Sequence, residues 1–177
     1  MKLEGRVALV TGGGRGIGEA IALAYAEEGA DTIVTARTQS EVDGVAARIE
    51  RLGRQALPIS ADLSSRDGVA ALVEQTKARF PRVDILVNNA GVGGSQNPNP
   101  VSQFDDDFWD LSLMVNLTAP YLLTKAYLPS MLESGWGRVI NIASIAAKRG
   151  SPNRSAYSAT KHGLVGLTRS AALEVAK

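Results

Sequence analysis

Tyr157 and Lys161 stand four residues apart in SAYSATKHG, residues 155–163, a stretch that reads as a helix. That spacing is a little over one helical turn, so both side chains lie on one face. A free phenol, with a pKa near ~10, is a poor proton donor or acceptor at neutral pH. A cation held beside it favours the phenolate and lowers that pKa. The pair therefore suits reversible proton transfer to an oxygen. Tyr and Lys also occur four apart on helices by chance, so the rest of the chain has to carry the case.

A second group of residues has the chemistry of nucleotide binding. TGGGRGIG, residues 11–18, holds five glycines in the seven positions from Gly12 to Gly18. They follow TGxxxGxG through Gly12, Gly16 and Gly18, and the GxGxxG spacing fits nowhere. A strand turning sharply into a helix lets bare backbone approach a pyrophosphate at the positive helix N-terminus. A plain strand–helix turn rarely needs so many glycines.

Near the end of the following strand, Ala36-Arg37-Thr38 carries no acid. A carboxylate there would hydrogen-bond a ribose 2′-hydroxyl and repel a 2′-phosphate. Arg37 is suited to pair with a phosphate, and Arg15 in the glycine loop could supply a second positive group. The alternative is that both are solvated surface arginines. The expectation is NADP(H) in preference to NAD(H).

The elements that must position these groups alternate. Strand patterns fall at 6–11, 32–36, 56–60, 83–88 and 137–143. Helical patterns cover 17–29, 39–52 and 66–80, two consecutive helices lie within 105–132, and a last helix runs from Ser155 to the end. GVGGSQNPNP, 91–100, is a turn-rich loop. Near-continuous Val/Ile/Leu strands alternating with helices predict an α/β fold, a doubly wound parallel sheet of the Rossmann type. Its ligands would sit at the carboxyl ends of the strands.

The 177 residues fit a single domain with a sizeable core, and 45% hydrophobic and 21% charged residues are ordinary for a globular chain. A net charge of +1 gives no basic field for nucleic acid. With no cysteine there are no disulfides or thiolate chemistry, and one histidine without a dense carboxylate cluster argues against a metal site. The N-terminus, MKLEGRVALVTGG, is too glycine-broken for a signal peptide or a membrane span. A cytoplasmic protein is the expectation.

TGGGRGIG near the start, SAD (60–62), NNAG (88–91), Ser144 and YSATK (157–161) together resemble the short-chain dehydrogenase/reductases, in their non-extended branch. The resemblance runs from residue 5 to the last residue. It implies that Tyr157 is the general acid in ketone reduction and the base in alcohol oxidation. Ser144 would hydrogen-bond the substrate oxygen. Lys161 would lower the Tyr157 pKa and hold the nicotinamide ribose, and Asn116 would anchor a proton-relaying water. Asp62 would contact the adenine, while Asn88 and Gly91 serve the cofactor-side loop and strand packing. Ile17, Leu63 and Ala90 complete the implied cofactor set with Gly12, Arg15, Gly16, Gly18 and Arg37. The small residues Ser158, Ala159 and Thr160 would give the nucleotide room.

Other readings stand beside these. Asn116 suits a helix cap, with Pro120 following. His162 points away from Lys161 and reads as structural. Asp105, Asp106 and Asp107 read as a helix start facing the dipole, and Trp109 and Trp136 as packing. Ser95, Gln96 and Asn97 could face substrate. The last helices are apolar over much of their surface, and Gly163 and Gly166 would allow close helix approach, which fits a dimer or tetramer or simply intrachain burial.

The resemblance also implies two further strands and a substrate lid beyond Lys177, so a C-terminally incomplete domain is expected. Two functions follow: an NADPH-dependent reductase acting on a carbonyl or alcohol, with a 3-oxoacyl thioester as one substrate class, or a non-catalytic nucleotide-binding or assembly module.

Overall fold

The computed structural model describes residues 1–176. The β-branched runs form β1 (Val7–Thr11), β2 (Asp31–Ala36), β3 (Ala56–Ser60), β4 (Ile85–Asn88) and β5 (Arg138–Asn141). Helices α1 (Gly16–Glu27), α2 (Gln39–Arg51), α3 (Arg66–Arg79), α4 (Asp106–Leu113), α5 (Ala119–Glu133) and α6 (Ser155–Val175) connect and follow them. All pairings are parallel, in the order β3-β2-β1-β4-β5.

Side chains alternate across a strand, and here both faces are covered. Leu9, Ile33 and Leu86 point to one face, where Leu72 of α3 and Leu123 and Tyr127 of α5 bury them. Ala8, Val10, Val34 and Val87 point to the other, against Ala22 and Ala26 of α1 and Val42 and Ile49 of α2. That two-sided burial explains why the strands read as unbroken apolar runs. The expected α/β, doubly wound sheet is the fold observed.

The fourth strand begins at Ile85, two residues later than expected, because Asp84 is used differently. Its carboxylate is fully buried and accepts from the Val7 amide at 2.9 Å, with Arg6 at 3.3 Å and Arg82 at 2.9 Å. Nearby, Trp136 is stacked by the guanidinium of Arg6, 3.8 Å from its ring centroid, with Arg138 at 4.9 Å. These contacts lie at the amino ends of β1, β4 and β5, so Trp136 packs the sheet edge away from the glycine loop.

Between α4 and α5 the chain does not break. A π-helical turn, Met114–Thr118, joins them, and the Ala119 amide donates to Met114 O, five residues back. The cause is Pro120: it has no N–H for the Asn116 carbonyl, and its ring would clash there in a regular helix. A widened turn relieves both. The α4 start is as expected, with Asp105 as its cap: Oδ1 accepts from the amides of Asp107 at 2.9 Å and Phe108 at 3.2 Å. Among the described residues, no helix is long and apolar enough to cross a membrane.

Candidate dinucleotide and catalytic site

The strand order reverses between β1 and β4, so the chain leaves their carboxyl ends toward opposite faces and opens a crevice there. Thr11 ties the two ends together. Its hydroxyl donates to Val87 O at 3.2 Å and accepts from the amides of Asn89 and Ala90, both at 3.0 Å. Asn89 returns the tie, its Nδ2 donating to Thr11 O at 2.9 Å and Gly12 O at 3.1 Å. Neither residue was expected to act in the site. The signals were the threonine before the first glycine and the second Asn of NNAG.

The glycines fall into two groups. A Cβ on Gly12 would lie 2.9 Å from Ala90 Cα, and one on Gly18 would lie 2.2 Å from Gly12 O. At these positions bare backbone is needed for packing the loop between β4 and α1. Gly16 is different: its φ is +59°, and nothing lies within 4 Å of its would-be Cβ. It leads α1 into open space, with Ile17 exposed beside it. First-turn amides of a helix have no partners within it, which makes this crown a place for an anion.

Alongside the crown runs a cleft of about 340 Å³. Gly12, Arg15, Arg37, Asp62, Leu63, Ala90 and Gly91 of the expected set line it; Gly16, Ile17, Gly18, Asn88, Tyr157 and Lys161 do not. Asp62 is exposed, and its Oδ1 accepts from the Ser64 amide at 3.0 Å. Asn88 is buried and donates from Nδ2 to Asn141 Oδ1 at 2.8 Å, so it serves strand packing between β4 and β5. Among the cleft residues outside the expected set, one is charged. Glu41, on the first turn of α2, lines the same wall as Arg15 and Arg37. The region after β2 is therefore not free of acid, as the residues next to the strand suggested. The carboxylate reaches it from five positions past Ala36.

The other end of the crevice gathers Gly91, Asn116 and Lys161. A Cβ on Gly91 would lie 3.0 Å from Asn116 Oδ1 and 3.9 Å from Lys161 Nζ. Asn116 is no helix cap. It sits in the π-helical turn, 1% exposed, and its side chain accepts from the Val92 amide at 2.8 Å and donates to Val92 O at 3.1 Å. Its Nδ2 also donates to Thr160 Oγ1 at 3.3 Å. Thr160 is fully buried and donates in turn to Tyr157 O at 3.0 Å. Thr160 thus locks α6 to the π-helical turn; it does not clear room for a nucleotide.

Lys161 is buried, its ammonium donating to Ile142 O at 2.7 Å and lying 5.8 Å from the Tyr157 ring centroid. Burial pushes its pKa below the ordinary lysine value. Tyr157 is half-buried on the first turn of α6, and buried Gly94 lies against its base, with room for no Cβ: one would be 2.9 Å from Tyr157 Cβ. Ser144 starts the short 3-10 turn Ile145–Ala147, which packs against α6. Its Oγ accepts from the Ala146 amide at 3.1 Å.

The remaining candidates make local contacts. His162 is exposed, with Nδ1 2.9 Å from Ser158 O. The close approach at Gly163 is within the chain, where Leu117 would be 2.9 Å from a Cβ, while Gly166 faces open space. Asn97 donates to Asp105 Oδ2 at 3.1 Å, and Trp109 stands edge-on to Phe104. Among the described residues, no cluster of His, Cys, Asp or Glu could hold a metal ion.

A family model described as short chain dehydrogenase matches residues 6–177. This chain belongs to that family. As a short-chain dehydrogenase it is 39% identical over 175 residues to a 3-oxoacyl-[acyl-carrier-protein] reductase of Synechocystis, covering 98% of this chain and 70% of the relative. A metagenomic short-chain oxidoreductase solved in complex with NADP superposes with a TM-score of 0.92 at 42% identity, covering 98% of this chain and 78% of that one. An NAD+-bound xylitol dehydrogenase superposes at 0.90 with 33% identity, covering 99% and 67%. The short-chain dehydrogenase described here spans 65% to 70% of the length of the curated relatives it matches first. Its open glycine crown, exposed Ile17 and flanking arginines fit a dinucleotide.

Proposed function

We propose that this chain acts as one NAD(P)-binding domain of an NADPH-dependent oxidoreductase that interconverts a carbonyl and a secondary alcohol. The observation that carries the reading is that Asn116 Oδ1 and Lys161 Nζ both lie within 4 Å of where a Cβ on Gly91 would stand, with the Tyr157 ring centroid 5.8 Å from Lys161 Nζ. When bound, the dinucleotide supplies a hydride to the carbonyl carbon or removes one from the alcohol.

The chain's own residues handle the proton. In reduction the Tyr157 hydroxyl gives its proton to the substrate oxygen, and in oxidation it takes one back. The Lys161 ammonium favours the phenolate left behind. Ser144 Oγ already accepts from the Ala146 amide, which leaves its own proton to donate to the substrate oxygen as negative charge develops. Asn116 Oδ1 holds Val92 with one lone pair and has a second for a relaying water.

Exposed Arg15 and Arg37 on one cleft wall support NADP(H) over NAD(H), and so does the NADP complex of the 42%-identical relative. The Synechocystis relative makes a 3-oxoacyl thioester the first substrate class to try. A cytoplasmic homodimer or homotetramer is the working form we take, supported by Tyr121 and Leu132 exposed on α5.

The test is NADPH oxidation by the chain with a panel of ketones and 3-oxoacyl thioesters. Turnover that falls about 10²- to 10⁴-fold in Tyr157→Phe supports the reading. Tight nucleotide binding with no turnover in either protein would favour a non-catalytic binding module.

A further inference from the structure

Of the five glycines in the loop, Gly13 and Gly14 fall outside the TGxxxGxG spacing. Gly13 packs on the sheet, where a Cβ would lie 2.7 Å from Val34 Cγ1. Gly14 makes room for something else. A Cβ there would lie 2.9 Å from Glu41 Cβ and 3.1 Å from Glu41 Oε2. The side chain of Glu41 therefore folds back from α2 and lies over the bare backbone of the phosphate loop. Its other carboxylate oxygen is 4.0 Å from the Arg15 guanidinium.

The cleft corner holds Arg15 and Arg37 as its cations, with Glu41 as the acid between the loop and α2. The second acid of the cleft, Asp62, has one oxygen engaged by the Ser64 amide. Arg15 is largely exposed, and Glu41 shares its field at 4.0 Å with any phosphate that enters. A dianionic 2′-phosphate entering this corner would meet a carboxylate of like sign and would share Arg15 with it. A 2′-hydroxyl offers that carboxylate a proton to accept.

We propose that Glu41 is a specificity-determining residue for the 2′ position of the adenosine ribose, opposing the preference that Arg15 and Arg37 create. Its carboxylate screens Arg15, accepts from a 2′-hydroxyl and disfavours a 2′-phosphate, which narrows the margin between NADP(H) and NAD(H). The third glycine of the run makes room for Glu41 and for Ala36, whose Cβ would lie 3.1 Å from a Cβ placed there. The proposal rests on the dinucleotide reading of the cleft.

The experiment is equilibrium titration of the chain with two fragments that lack the nicotinamide end, adenosine 2′,5′-bisphosphate and adenosine 5′-monophosphate. Glu41→Gln keeps the shape and removes the charge, and Glu41→Ala removes the side chain. Glu41 is a partly exposed helix residue, and a thermal melt of each variant confirms an intact fold. Both variants are expected to bind the bisphosphate about three- to tenfold more tightly, the size of a surface charge effect. The monophosphate should bind unchanged or more weakly. In an Arg15→Ala background the gain should shrink.

If both ligands bind the wild type and neither variant changes their ratio, Glu41 has no such role and the dinucleotide reading survives. If neither ligand binds wild type or variants, the proposal and that reading fall together. A gain that persists in full without Arg15 would overturn the screening of Arg15.

Discussion

Asn116 and Val92 exchange two hydrogen bonds across 24 residues of chain, side-chain amide against main-chain amide. The turn-rich loop after β4 is thereby pinned to the π-helical turn, and through Thr160 to the helix that carries Tyr157 and Lys161. One amide side chain positions three parts of the site. Replacing it with Leu leaves Val92 unpaired on both groups, and should cost about 1–3 kcal/mol in urea denaturation. Asn116→Asp keeps the acceptor but sets a buried carboxylate oxygen against Val92 O, so it should not rescue the loss. Equal stability of Asn116→Leu and wild type would show that the loop holds itself.

Tyr157 rests on the backbone of Gly94, which has no space for a methyl group. Gly94→Ala should displace the phenol and lower turnover by up to about 10²-fold, the scale of a misplaced catalytic group. The same overlap should also cost ~1–3 kcal/mol of stability. Gly93→Ala is the control, because the nearest atom to its Cβ would be 3.8 Å away, on Ser95. Loss of turnover in both variants alike would point to general loop damage.

The two kinds of loop glycine should respond differently to alanine. At Gly18 the new methyl would overlap Gly12 O, and the helix start must shift. We expect a cost at or above the upper end of the ~1–3 kcal/mol typical of overpacking, with loss of nucleotide binding. At Gly16 there is space and only the left-handed φ is penalised, by about 1–2 kcal/mol. Chemical denaturation of the two variants side by side ranks them, and the reverse order would contradict this account of the loop.

Lys161 makes stability depend on alkaline pH. Burial lowers its native pKa, so between that value and the ordinary value near ~10.4 the unfolded chain binds more protons than the folded one. Stability gained from this group therefore rises with pH across that window. The cost of burying the ammonium is full below the native pKa and vanishes above the unfolded one. In Lys161→Met this rise is absent. The difference in urea midpoint between wild type and variant should shift in favour of wild type as the pH rises through that window. A difference that stays constant would mean that the ammonium pays no burial penalty.

Much of this fold was legible because its signals are local. Val/Ile/Leu runs flanked by turns gave the five strands, and the doubly wound order follows from their alternation with helices. The glycine loop and the Tyr157–Lys161 spacing are likewise contained in short windows. What was missed depends on distance. Nothing near Asp84 announces that its carboxylate will cap the start of β1, 77 residues away. Pro120 was read as a helix boundary, yet α4 and α5 run on because a wider turn absorbs the proline. Glu41 escaped notice because it belongs to a helix by sequence and to the phosphate loop by contact. Thr160 reads as a small residue that gives the nucleotide room, because its partner Asn116 lies 44 residues away in sequence.

The widened turn also fixes which way α5 faces. Each residue of a helix advances its side-chain direction by roughly 100°. Deleting one residue between Met114 and Thr118 would rotate everything downstream by about that angle, swinging Leu123 and Tyr127 off the sheet they now cover. The same local insertion that holds Asn116 thus sets the azimuth of the α5 face that covers the sheet. A repair to ideal helical geometry would unseat the core.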